Sequence, residues 1–259
     1  MTKAQKISIV IPCYNEEANL KKGVLDQVAN FLAKQSFVWE VLICNDQSTD
    51  HSLKFCQNFV KNHPGFRVLD LPHGGKPSAV WGGIKAARYP LVLFTDMDQS
   101  TPLKEINKLL PYFHQGFDVV IGSRGTTRHG FSLIRKIMSR GFLYVRKMLL
   151  LSKIDDTQCG FKAFKTTVAR DLFPNLQFFK QKTATGWRVS AFDVELLFMA
   201  ELWSYKTKEV EVSWKDEDVS TTKGDNAARF KKESQQMAQE IIRVKLNHLK
   251  GFYHREPKK

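Results

Sequence analysis

Asp96 and Asp98 stand one residue apart at the end of the apolar run Leu91-Val92-Leu93-Phe94-Thr95. If strand geometry continues through them, alternate side chains share a face and both carboxylates point into the same space. Two acids that close repel one another unless a proton or a cation intervenes, and hard oxygen donors suit Mg2+ or Mn2+. Read alone, such a pair more often marks a solvated turn or a helix cap. The rest of the chain has to decide.

Other polar clusters follow apolar runs in the same way. Tyr14-Asn15-Glu16 follows Ile7-Ser8-Ile9-Val10-Ile11 and Pro12, and Asn45-Asp46 follows Trp39 to Cys44. His73-Gly74-Gly75-Lys76 follows Arg67 to Leu71. Small residues there let backbone approach an anion while the lysine supplies charge. A lone Gly-Gly-Lys also describes an ordinary turn. Asp193, between Phe192 and Val194, opens a mostly apolar stretch, where an acid serves equally as an N-cap or as a buried functional group.

The elements that must position these residues alternate. Helical patterns are expected over Ala18 to Ala33, His51 to Val60 and Ser78 to Ala87, between strands ending near Pro12, Cys44, Leu71 and Thr95. Continuously apolar strands alternating with helices predict an α/β protein whose mostly parallel sheet is covered on both faces. Ligands of such sheets bind beyond the carboxyl ends of the strands, so Tyr14, Asp46, Lys76, Asp96 and Asp98 are expected around one crevice.

Past Pro102 a helix runs through Tyr112, and a buried strand from Phe117 to Ile121 ends in Gly122-Ser123-Arg124. Phe131 to Leu151 is a basic amphipathic helix: Leu133, Ile134, Ile137, Met138, Phe142, Val145 and Leu149 recur at helical spacing, and Arg135, Lys136, Arg140, Arg146 and Lys147 occupy other positions. Asp155 to Lys162 is a polar loop entering a strand, Phe192 to Trp203 a helix, and Glu209 to Trp214 a strand. A second basic amphipathic helix extends from Asn226 to about Lys250, with Phe230, Met237, Ile241, Val244 and Leu249 on one side. Either basic helix describes a core stripe with a solvated face or a helix lying on an anionic bilayer. The expected organisation is one domain over residues 1–225 and a basic helix and tail over 226–259.

Composition sets the outer bounds. The 259 residues are 42% hydrophobic with 19 Phe, which excludes a disordered chain. No apolar run reaches the roughly 18 residues of a spanning helix, and the N-terminus enters a strand directly, so a cytoplasmic location is expected. The four cysteines, 13, 44, 56 and 159, lack zinc-site spacing and read as small hydrophobes. A formal charge of +14 favours an anionic partner: nucleic acid, an anionic membrane or phosphorylated small molecules. Acids clustered at strand ends, with no RNA- or DNA-binding motif, argue against a nucleic-acid-binding protein.

Taken in order, the motifs resemble the family 2 glycosyltransferases of the GT-A fold, most closely the branch that glycosylates dolichyl and other polyprenyl phosphates. They are Ile9-Val10-Ile11-Pro12-Cys13-Tyr14-Asn15-Glu16-Glu17, Asn45-Asp46-Gln47-Ser48-Thr49-Asp50, Gly75-Lys76, Asp96-Met97-Asp98 and Gly122-Ser123-Arg124. Further along come Ser139-Arg140-Gly141-Phe142, Asp156-Thr157-Gln158-Cys159-Gly160-Phe161-Lys162, Phe192-Asp193-Val194-Glu195 and Val210-Glu211-Val212-Ser213-Trp214. The resemblance covers roughly residues 7 to 224.

By that resemblance, Pro12, Tyr14, Glu16 and Asp46 would hold the base and ribose of a nucleotide sugar, with Lys76 and Lys223 near its phosphates. Asp96 and Asp98 would hold Mg2+ or Mn2+ on the diphosphate. Arg124, Arg135, Ser139 and Arg140 would hold an acceptor phosphate. Two departures stand out: Asn45-Asp46-Gln47-Ser48 replaces the common Asp-Asp-Gly-Ser, and Asp216-Glu217-Asp218 stands where mannose-type enzymes often carry an arginine. The Asp156 to Lys162 segment is similar to the glucosyl branch and implies UDP-glucose.

The implied reaction is an inverting, metal-dependent transfer of a hexose to a polyprenyl phosphate, with the protein peripheral on the cytoplasmic face of a membrane. The alternative is a soluble or polymeric hydroxyl acceptor, such as a polysaccharide, a teichoic-acid-type polymer or a protein glycan. A hydroxyl acceptor needs a general base, for which Asp193 is the candidate; a phosphate is already an anion, and Asp193 would then orient the sugar or a cationic partner.

Overall fold

The computed structural model describes residues 5–125, 150–151, 154–180, 192–215, 217 and 226–255, with side chains of the last segment from 238 onward. β1 (Lys6–Cys13), β2 (Val38–Asn45), β3 (Phe66–Asp70), β4 (Leu91–Phe94), β5 (Val119–Ser123), β6 (Lys162–Lys165) and β7 (Thr207–Glu211) form one sheet in the order β3-β2-β1-β4-β6-β5-β7. Every neighbouring pair is parallel except those made by β6, which runs against both β4 and β5.

The continuously apolar strands are buried on both sides, as a sheet between two helical layers requires. Ile7, Ile9 and Ile11 of β1 pack with α2 (Val24–Leu32), α3 (Ser52–Val60) and α5 (Ile106–His114), following α1 (Glu17–Lys21). Val10 faces the other layer, which holds α4 (Lys76–Ala86), α6 (Thr166–Leu172) and α8 (Phe192–Leu202), with the short α7 (Gln177–Lys180) beside them. Residues 7, 9, 10 and 11 are fully buried. Each such side chain contributes about 1.5–3 kcal/mol over an exposed one.

Several expected boundaries move. The helix expected over Ala18 to Ala33 is two, because Gly23 takes φ 75°, a left-handed conformation that ends α1 and starts α2. Pro12 does not close β1. The β4 ladder stops at the Val10–Phe94 pair, so a residue without an N–H at position 12 has no β4 partner to lose.

Helix α4 lies close against the sheet. A Cβ on Gly83 would come within 2.4 Å of Val10 and 2.8 Å of Cys44, and one on Gly82 within 2.4 Å of Leu71. Bare backbone at these two positions lets the helix seat with its first residue, Lys76, over the strand ends.

α9 (Asn226–Leu249) is fixed to this frame through α8. Ile241 and Val244 are buried, and Arg243 and the Tyr253 hydroxyl both donate to Glu195, at 2.8 and 2.9 Å. Leu249, expected on the same side, is 70% exposed: five residues beyond Val244 it has rotated out of the buried face. Phe230 and Met237 lie outside the described side chains. The basic helix expected over 131–151 also lies outside the described residues, apart from the buried Leu150 and Leu151. No described helix is long and apolar enough to cross a membrane.

Candidate active site

The loops after β1 and β2 are stitched together before any ligand is considered. Asn15, at φ 54°, donates its N–H to Ser48 Oγ at 3.1 Å, and its Oδ1 accepts from the Thr49 N–H at 2.8 Å. The Glu16 N–H donates to Ser52 Oγ at 2.8 Å, while Glu16 Oε2 accepts from Asn19 at 2.6 Å. Pro12 and Tyr14 lead into this corner, and the Tyr14 ring lies 4.9 Å from that of His73.

Asp46 is almost fully buried. Its carboxylate oxygens accept from the N–H groups of Gly74 and Gly75 at 2.8 and 2.9 Å, and Oδ2 lies 3.1 Å from His73 Nδ1. The group expected to meet a nucleotide base therefore also holds the loop that launches α4. Asn45 is turned away, donating to Asp70 Oδ1 at 2.7 Å. Gln47 adopts φ 57°, and its Oε1 accepts from the His73 N–H at 3.3 Å.

β4 ends at Phe94, so Asp96 and Asp98 lie in a turn and not in the strand. The alternation nevertheless persists: Met97 is 1% exposed and anchored in the core, and the acids on either side are partly exposed. Asp98 Oδ1 accepts from the Ser100 N–H at 2.9 Å, and Gln99, at φ 53°, donates its side-chain amide to Asp96 O.

Lys76 reaches across from the start of α4 and ion-pairs with Asp96. Burial alone would lower the lysine's pKa, but the carboxylates of Asp96, Asp193 and Asp98 raise it well above the ordinary value. One ammonium thus answers three acids, two from the turn after β4 and one from α8. Gly160 lines the same space: a Cβ there would sit 1.9 Å from Asp96 Oδ2, so only bare backbone fits beside that carboxylate.

Asp193 faces Lys162, whose fully buried ammonium lies 2.8 Å from Asp193 Oδ1, donates to Cys159 O and stands 5.5 Å from the centre of the Phe94 ring. No role for Lys162 is expected from its motif in the sequence. The available signal was a lysine inside the apolar segment Phe161-Lys162-Ala163-Phe164, a position tolerable only with a buried partner.

Arg124, expected at an acceptor phosphate, is engaged with Asp156. Its Nε and one terminal nitrogen donate to the two carboxylate oxygens, each at 2.7 Å, and its guanidinium lies over Trp214 at 5.6 Å. Burial would lower the arginine's pKa, but the Asp156 carboxylate more than offsets it and the value is raised. Glu209 accepts from the N–H groups of Asp155 and Asp156, so the loop carrying Gly160 is held at its start. Arg135, Ser139, Arg140 and Lys223 lie outside the described residues.

All four cysteines are buried free thiols. Burial pushes Cys44 up to about 12, and Cys13 rises through its hydrogen bond with Cys56 and its burial, so neither is a ready nucleophile.

The model of glycosyl transferase family 2 matches residues 8–173. A dolichyl-phosphate beta-glucosyltransferase of Dictyostelium discoideum is 31% identical, over 95% of this chain and 76% of its own. The Drosophila melanogaster and human proteins of the same name are 34% and 29% identical, covering 83% and 97% of this chain and 68% and 78% of theirs. Among solved structures, glucosyl-3-phosphoglycerate synthase from Mycobacterium tuberculosis, in complex with Mn2+, UDP and glucosyl-3-phosphoglycerate, superposes with a TM-score of 0.62. It is 18% identical and is matched over 93% of this chain and 80% of its own. A Pyrobaculum calidifontis mannosyltransferase with GDP-mannose and Mn2+ also gives 0.62, at 16% identity over 93% of this chain and 65% of its own. The shared architecture is GT-A.

Proposed function

The chain belongs to glycosyl transferase family 2, and from that premise we propose that it moves glucose from UDP-glucose to a polyprenyl phosphate at a membrane surface. The observation that carries the reading is the gathering of Asp96, Asp98 and Asp193 about the Lys76 ammonium, beyond the C-terminal ends of β1 and β4. The choice of sugar and acceptor is supported by the relatives named dolichyl-phosphate beta-glucosyltransferase.

The residues fit a divalent cation. Asp96 and Asp98 offer hard oxygen donors, and the pocket already stabilises a positive charge, that of Lys76. Asp96 and Asp98 would hold Mg2+ or Mn2+, which supplies Lewis-acid stabilisation of the leaving diphosphate. Pro12, Tyr14 and Glu16 line the donor's base and ribose. Asp46 fixes the Gly74-Gly75 backbone so that Lys76 arrives over the phosphates, with Lys223 as a second phosphate contact.

The transfer is a single displacement with inversion. An acceptor phosphate oxygen forms the new bond to the anomeric carbon as the bond to the diphosphate breaks. A phosphate nucleophile is already ionised, so the chain has no proton to remove. Asp193, paired with the buried Lys162, serves to orient the sugar. The acceptor phosphate is held by Arg135, Ser139 and Arg140, and Arg124 sets the Asp156 loop. Residues 1–225 form the catalytic unit, residues 226–259 its basic helix and tail, and the protein works peripherally on a cytoplasmic membrane face.

The test is a panel of nucleotide sugars, with and without Mn2+, offered a polyprenyl phosphate. The reading expects metal-dependent glucosyl-lipid formation from UDP-glucose. Transfer confined to hydroxyl acceptors, or no turnover of UDP-glucose, overturns it.

A further inference from the structure

Three of the six exposed large hydrophobic residues of the described molecule lie on one helix: Ile242, Leu246 and Leu249 of α9, at 56, 49 and 70% exposure. At about 100° per residue, positions 242, 246 and 249 fall in one narrow stripe, and Ile241 and Val244 fall on the buried side. Lys245 and Lys250 flank the stripe on its two edges. Residues 241–255 contain four Lys or Arg and no Asp or Glu.

The helix cannot roll to hide this stripe. Arg243 is held by Glu195 and Glu240, Asn247 donates to Gln177 Oε1 at 2.7 Å, and past the helix Tyr253 O accepts from the Trp203 indole at 3.0 Å. Single exposed apolar side chains are ordinary, whereas a stripe of large aliphatics edged by cations is the pattern of a helix lying in a bilayer interface. Pairing with a second copy through the same stripe would bring lysine rows together with no acid in this segment to neutralise them.

We propose that the outer face of α9, through Ile242, Leu246 and Leu249 with Lys245 and Lys250, is the surface by which the protein rests on an anionic lipid bilayer. This rests on the proposed lipid-phosphate acceptor. It adds the specific face presented to the membrane, held rigidly to α8, the helix that carries Asp193.

The experiment compares the full chain with an Ile242→Ser, Leu246→Ser, Leu249→Ser variant, whose altered side chains leave the core untouched, so its melting temperature serves as the folding control. Flotation uses phosphatidylcholine vesicles with and without phosphatidylserine. The wild type is expected to float with the anionic vesicles, and the variant to lose about tenfold or more in partitioning. Glucosyl transfer from UDP-glucose to a short, water-soluble prenyl phosphate should be the same for both.

Flotation equal in the two proteins, or absent in the wild type, overturns the docking surface while transfer to the soluble acceptor leaves the proposed reaction standing. A wild type that is dimeric in solution, with a monomeric variant, also overturns it, because the stripe is then a self-interface. Stripe-dependent flotation without any glucosyl transfer supports the surface and removes the lipid-phosphate reading instead.

Discussion

The ammonium of Lys76 and the carboxylate of Asp96 form an ion pair that links the first residue of α4 to the turn after β4. A divalent cation on Asp96 has to compete with that ammonium. Lys76→Met is therefore expected to tighten Mn2+ binding in the absence of nucleotide by about tenfold, a modest figure because both side chains are partly exposed and screened. Turnover should fall in the same variant. Titration of free Mn2+ by electron paramagnetic resonance reads the first effect directly, and unchanged or weaker Mn2+ binding would show that lysine and metal do not share the carboxylate.

Gly160 is expected to tolerate no side chain without loss of function. A methyl group there meets Asp96 Oδ2 at 1.9 Å, and the half-exposed carboxylate is what yields. Gly160→Ala should lower kcat about a hundredfold through misplacement of Asp96, with little change in melting temperature. Near-normal kcat would mean that Asp96 does not act from this position.

Lys162 and Asp193 should behave as a coupled buried pair. Lys162→Met strands the carboxylate and is expected to cost about 3–5 kcal/mol in urea unfolding. Adding Asp193→Asn to that variant should restore part of the stability and none of the activity. A fully additive double-mutant cycle would argue that the pair contributes no coupling. The Asp193→Asn variant also separates two roles: a large loss with a hydroxyl acceptor alone identifies a general base, and equal losses with a phosphate acceptor identify orientation.

Glu40, far from the site, makes stability depend on pH. Burial alone would raise its pKa, but the Ser8 hydroxyl at 2.7 Å, the Arg88 N–H at 2.8 Å and Arg67 at 2.8 Å outweigh burial and lower it below the ordinary 4.5. A carboxylate depressed in the folded state stabilises fully above its unfolded pKa, and that contribution is lost as pH falls through the folded value. The stability difference between wild type and Glu40→Gln is therefore expected to be largest at neutral pH and to shrink as the solution is acidified below about 4.5. Denaturant titrations across that range check it, and a constant difference would rule out the carboxylate as the cause.

Local pattern made much of the fold legible. The apolar runs around Val10, Ile43 and Leu93 announce buried strands because burial on both faces leaves no room for alternation with polar residues, and the polar clusters after them mark the strand ends. Gly23 was legible only as a residue, since whether a glycine is tolerated inside a helix or breaks it depends on the packing of α1 and α2 around it. Gln47 illustrates the opposite limit: it holds a left-handed φ that its residue type does not advertise, stabilised by the long-range bond from the His73 N–H.

The sequence by itself determined that Tyr14, Asp46, Lys76, Asp96 and Asp98 follow strands of a mostly parallel sheet, because periodicity and strand-end chemistry are properties of neighbouring residues. Partner choice was decided only by tertiary structure. Asp46 turns to the Gly74 and Gly75 amides, Arg124 to Asp156, Lys76 to Asp96 and Lys162 to Asp193. The last of these pairings follows from β6 entering antiparallel between β4 and β5, which carries Lys162 and Gly160 to the mouth of the sheet beside Asp96. Spacing along the chain does not encode that order, since a buried charge finds its partner through packing and not through proximity in sequence.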